Sequence, residues 1–121
     1  MGTAALSVSS NLVGVVVFKT DGKYSMTFPD FLESLKQPVP PKGISQPLLA
    51  LWYDGHGDWK SAHETAQEIS DITGSRIHAY LHRKERDLSN ASYWYGRAAA
   101  TLHARPLDEE WNELVQMLLN K

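Results

Sequence analysis

Apolar positions follow helical spacing from about Met26 to the end of the chain, interrupted by Gly, Pro and Asp at regular places. The clearest stripe is the last: Trp111, Leu114, Val115, Leu118 and Leu119 fall at i, i+3, i+4, i+7 and i+8. Asp108, Glu109 and Glu110 precede it, at the end where a helix carries partial positive charge. Working backwards, Asp87 is placed to cap a helix through Leu88, Ala91, Tyr95 and Ala98. Ser75 opens another through Ile77, Tyr80 and Leu81. Asp58 caps a third through Trp59, Ala62, Ala66 and Ile69, with Gly74 as its stop. Ser45, with Pro47 in the first turn, opens a fourth that breaks at Gly55-His56-Gly57. Thr27 caps Phe28 to Leu35, whose Phe28, Phe31, Leu32 and Leu35 make one stripe, and Pro38 to Gly43 cannot continue it because proline lacks the amide donor.

Residues 1–25 have another grammar. Val15 to Phe18 is β-branched and aromatic, Asp21-Gly22 is a turn pair, and Tyr24, Met26 and Phe28 alternate with polar neighbours, which together spell a hairpin. Two isolated strands are marginal in water, so a weakly structured extension is the preferred expectation for this segment. The expected organisation is therefore an N-terminal extension, 1–25, and a helical domain, 26–121.

Composition narrows the function classes. The chain of 121 residues carries 12 Lys+Arg and 14 Asp+Glu, a formal charge of −2, so no global basic field exists to hold a nucleic-acid backbone. It has 0 cysteines, which removes disulfides, thiol catalysis and thiolate-ligated zinc and suits a reducing, cytoplasmic setting. The longest apolar run, Leu12 to Phe18, is far short of the roughly 18 residues of a membrane span, and no basic residue precedes it as in a secretory signal.

An internal repeat lies beneath the stripes. Ala50 matches Ala79, Asp58 matches Asp87, Trp59 matches Leu88 and Ala62 matches Ala91, each 29 positions apart, across one helix, its turn and the next helix. With a small residue in the first helix, Gly57-Asp58-Trp59 in the turn and Ala62 one turn further, Ser45 to Ala100 resembles the tetratricopeptide-repeat family. Its spacing is shorter than that family's, and Arg86 stands where a turn glycine is expected. The stretches WYDGHGDW and HAYLHRKERDLSNASYWY are similar to a group of small bacterial proteins; that likeness implies a common region beginning near Met26 and supplies no activity. The expected fold is all-α: a tetratricopeptide-like array of helical hairpins with a C-terminal capping helix, after a weakly structured N-terminal segment. Two repeats are fewer than such arrays usually need, which points to a homodimer.

Two constellations carry candidate chemistry. Arg76, Tyr80, Arg83 and Lys84 recur at i, i+4, i+7 and i+8, and the resemblance places them in the groove where the family receives extended peptides. At about 100° per residue both arginines point away from Ile77 and Leu81, and Tyr80 falls at the margin with its hydroxyl wet. The preferred function is accordingly a small adaptor engaging an acidic peptide or partner protein through this face, without nucleic acid, membrane or cofactor. The alternative is a metal- or small-ligand-binding protein, with enzymatic activity left open, using His78 and His82, spaced i and i+4, with His63 as the third ligand and Glu64 or Glu85 as substitutes for it. The preferred reading of these histidines is packing, because no HExxH glutamate is present. Tyr93 and Trp94 are expected against the C-terminal helix, Asp54, His56 and Asp58 resemble a hydrolytic cluster in composition only, and no nucleophile elbow or phosphate loop occurs.

Overall fold

The computed structural model describes residues 17–18, 24–102 and 104–121, with side chains from Met26 onward. The chain divides into two compact units, residues 1–43 and 44–121.

In the first unit, β1 (Val17–Phe18) and β2 (Tyr24–Ser25) pair antiparallel, Val17 opposite Ser25 and Phe18 opposite Tyr24. These two short strands are all that is described of the expected N-terminal segment, and residues 1–16 and 19–23, which include the Asp21-Gly22 pair, lie outside the described residues. Helix α1 (Phe28–Ser34) opens with a capping box: Asp30 N donates to Thr27 Oγ1 and Thr27 N to Asp30 Oδ2.

The second unit is five helices: α2 (Gln46–Gly55), α3 (Trp59–Gln67), α4 (Ile72–Lys84), α5 (Leu88–Arg97) and α6 (Leu107–Leu119). Helices α2 and α3 form one hairpin and α4 and α5 the next; α3 packs on α4, and α6 lies across α2 and α4. The all-α architecture with a C-terminal capping helix is thus as expected. The 29-residue offset is structural as well. Asp58 N donates to Tyr53 O at 2.8 Å and Asp87 N to His82 O at 2.9 Å, while each aspartate caps the following helix. Gly57 (φ 88°) and Arg86 (φ 71°) occupy the same left-handed position, so arginine stands where the backbone favours glycine.

One boundary differs from expectation. Helix α3 ends at Gln67 and α4 begins at Ile72, capped by Asp71, whose carboxylate accepts from Gly74 N. Gly74 therefore lies inside α4. Its role is close approach, since a Cβ there would come within 2.1 Å of the Ile69 carbonyl oxygen.

The core runs between the hairpins and under α6: Leu51, Trp52, Ala62, Ile77, Leu81, Ala91, Leu114 and Val115 are all essentially buried. Two indoles tie helices together by donating to helix carbonyls: Trp59 Nε1 to Leu81 O at 2.9 Å and Trp111 Nε1 to Leu51 O at 3.0 Å. No described helix is long and apolar enough to cross a membrane.

Candidate metal centre

Helix α4 is buried almost all round, so its polar side chains require partners on every side. On the flank facing α3 and α5 those side chains are His78 and His82, 5% and 7% exposed. Their i, i+4 spacing stacks the two rings with centroids 4.8 Å apart. From α3, His63 meets them edge-on, its Nε2 2.9 Å from His78 Nε2, and one donor nitrogen from each of the three rings lies within 4.8 Å of the others. For comparison, two nitrogens held at about 2.05 Å on a tetrahedral zinc ion sit roughly 3.3 Å apart.

Aromatic walls fix the rings. Trp59 stacks on His63 at 4.9 Å, and Trp94 stacks on His78 at 4.0 Å with an interplanar angle of 10°. Trp94 therefore packs on α4 and not on the C-terminal helix. Tyr93 stands edge-on to it, half exposed, and Arg97 lies over the indole face. His82 Nδ1 is 2.6 Å from Glu85 Oε2; an ionised carboxylate only accepts, so the ring donates there.

Electrostatics keep two of the imidazoles neutral. Burial, and then the neighbouring His63 and His82, push His78 down to about 4, and burial followed by His82 lowers His63 as well. A neutral imidazole keeps the lone pair that a metal ion needs.

The basic face is arranged differently from its expectation. Tyr80 is 2% exposed, and its hydroxyl, expected to be wet, donates to Asp54 Oδ2 at 2.8 Å, while Lys84 Nζ binds Asp54 Oδ1 at 2.8 Å. Arg83 Nη1 donates to Glu110 Oε1 at 2.8 Å, and Arg76 Nε faces Glu110 Oε2 at 3.7 Å. Glu110 is fully buried and also accepts from the Tyr95 hydroxyl at 2.5 Å. The carboxylates facing this set thus belong to α2 and to α6 of the same chain, and the helix expected to cap the array lies against this face of α4. Burial, then Asp54, raises the Tyr80 hydroxyl, and burial with the Glu110 hydrogen bond raises that of Tyr95, so both remain protonated donors.

Asp54, His56 and Asp58 do not act together, since Asp54 is in this ion-pair set, His56 stacks on Trp52 at 4.3 Å and Asp58 caps α3. Sequence reasoning missed Glu110 and Asp54 as partners of the basic residues; in sequence Glu110 shows only the acidic first turn of a helix. No family model, no characterised protein and no solved structure matches this chain.

Proposed function

We propose that the protein binds a divalent transition-metal ion through His63, His78 and His82. The observation that carries this reading is the convergence of three donor nitrogens, from two helices, within 4.8 Å of one another. Three imidazoles without sulfur suit zinc, nickel or copper(II) and disfavour magnesium and calcium, which prefer oxygen. Three protein ligands leave a fourth position for water or a further ligand. Because His63 belongs to α3 and the other two to α4, the ion would join the two hairpins. The hairpins themselves we read as two tetratricopeptide-like repeats serving as the scaffold. An acidic peptide seeking Arg76 and Arg83 would have to displace Glu110, which is why the histidine side is preferred over the basic face.

Calorimetric titration of the metal-free protein with Zn²⁺, Ni²⁺, Cu²⁺ and Mg²⁺ tests the reading. One ion per chain is expected for the first three and none for Mg²⁺, with a rise in melting temperature by mass action. Copper should also quench tryptophan emission, since Trp94 and Trp59 stack directly on two ligands. His63→Ala and His78→Ala should each abolish the heat of binding. Titrations without heat or thermal shift for all the ions overturn the proposal.

A further inference from the structure

Metal affinity depends on ligand orientation as much as ligand identity, because a ring must present the correct nitrogen in the correct tautomer. Of the three histidines, His82 alone has a carboxylate partner among the described residues: Glu85, with its Oε2 2.6 Å from Nδ1. Glu85 is itself fixed by the backbone. It is the C-terminal cap of α4, its amide donating to Leu81 O, and the left-handed Arg86 that follows turns the chain back towards α5. Leu81 O also accepts from Trp59, whose ring stands edge-on to His82 at 6.1 Å. The helix end, the indole and the carboxylate together hold one imidazole.

Resting on the metal-binding reading above, we infer that Glu85 is the positioning residue of the centre: by accepting the Nδ1 proton of His82 it fixes the tautomer that leaves Nε2 for the ion. Glu85 is not a fourth ligand in this arrangement, because its carboxylate meets the Nδ1 side of His82 and does not join the three converging nitrogens. A carboxylate hydrogen-bonded to a ligating imidazole also increases its electron donation to the metal, and removal of such partners typically lowers affinity about 10- to 100-fold. The fully local origin of the contact, i and i+3 at a helix end, means that the partner is in place before any ion arrives.

The test uses the full chain with Zn²⁺ and reads two quantities: affinity by calorimetry, and the His82 tautomer of the metal-free protein by ¹⁵N–¹H correlation spectroscopy of the imidazoles. The wild type should show Nδ1–H at His82, and Glu85→Ala should give mixed tautomers with about a 10- to 100-fold loss of affinity at unchanged stoichiometry. Glu85→Gln, whose amide oxygen still accepts, should keep the tautomer and recover part of the affinity. If Glu85→Ala shifts neither tautomer nor affinity while the wild type binds zinc, the positioning role is overturned. If Glu85→Ala removes binding entirely and Glu85→Gln does not restore it, Glu85 is a ligand and the assignment is equally overturned. Absence of zinc binding by the wild type instead overturns the metal-binding reading itself, and is distinguishable because the tautomer measurement needs no metal.

Discussion

Removing the Arg83 guanidinium is the sharpest perturbation of the fold, because it separates a buried charge from its strongest partner. In Arg83→Ala, Glu110, fully buried, loses the 2.8 Å bond from Nη1, and the carbonyl of Arg105 loses its Nη2 donor. The carboxylate keeps the Tyr95 hydroxyl at 2.5 Å and faces Arg76 Nε at 3.7 Å. Breaking a buried pair from one side generally costs about 3–5 kcal/mol, since an uncompensated charge remains in the interior. The retained Tyr95 and Arg76 contacts place this case at the lower end, about 3 kcal/mol, which for a domain of this size lowers the melting temperature by roughly 10–20 °C. Urea unfolding followed by circular dichroism measures the change directly, and an unchanged m-value would show that both states are otherwise the same. Arg83→Met combined with Glu110→Gln should recover most of the loss, because the neutral amide still accepts from Tyr95 and needs no cation. A loss below about 1 kcal/mol in Arg83→Ala would place the pair in the solvent-screened class. The basic face would then be free for an acidic partner, and the argument that α6 satisfies it would be refuted.

Two further outcomes follow from local geometry and titration. Arg86→Gly should stabilise the protein by about 0.5–1 kcal/mol, because the left-handed conformation at φ 71° carries a penalty for arginine that exceeds the extra chain entropy of glycine; a lower melting temperature would contradict this. The metal-free protein should lose stability on acidification. His78 is held at about 4 when folded against 6.5 for an ordinary imidazole, so between these pH values the unfolded chain binds the extra proton and stability rises with pH, levelling above about 7. The swing is up to about 3 kcal/mol, and a flat urea midpoint between pH 4 and 7 would show that His78 is not held neutral.

What was legible in the chain was what is local. The caps Thr27, Ser45, Asp58 and Asp87 each act within three residues, so their spacing located four helix starts. The repeat was visible for the same reason, its turn being closed by bonds inside one short segment. Gly74 misled because the same residue type serves as a helix stop and as a place for close approach, and only the position of Ile69 separates the two. The spacing of His78 and His82 exposed that pair, but the join to His63 depends on how α3 lies against α4. Glu110 was the hardest case. Its place in the first turn of α6 accounts for a glutamate in sequence, and its burial beneath Arg83 arises only when α6 crosses α4.

Helix α4 connects these observations, since it meets two polar systems of different kinds. On the α2 and α6 flank, the cations Arg76, Arg83 and Lys84 face Asp54 and Glu110, and the two tyrosine hydroxyls supply donors to the same carboxylates. Three cations meet two carboxylates there, and Arg76 Nε, buried 3.7 Å from Glu110 Oε2, makes no hydrogen bond among the described residues. On the α3 and α5 flank, three imidazoles face one another, and among the described residues neither His63 nor His78 pairs with a carboxylate. One hydrogen bond between their Nε2 atoms uses one lone pair and one proton. Burying three such rings together as mere packing gains little that leucine or phenylalanine would not supply at lower desolvation cost. A divalent cation held by them would satisfy the lone pairs, with Glu85 contributing negative charge through its contact with His82. The asymmetry of α4 therefore separates the two roles physically: charge pairing on one flank holds α6 in place, and unmet donor capacity on the other is what the proposed metal ion would complete.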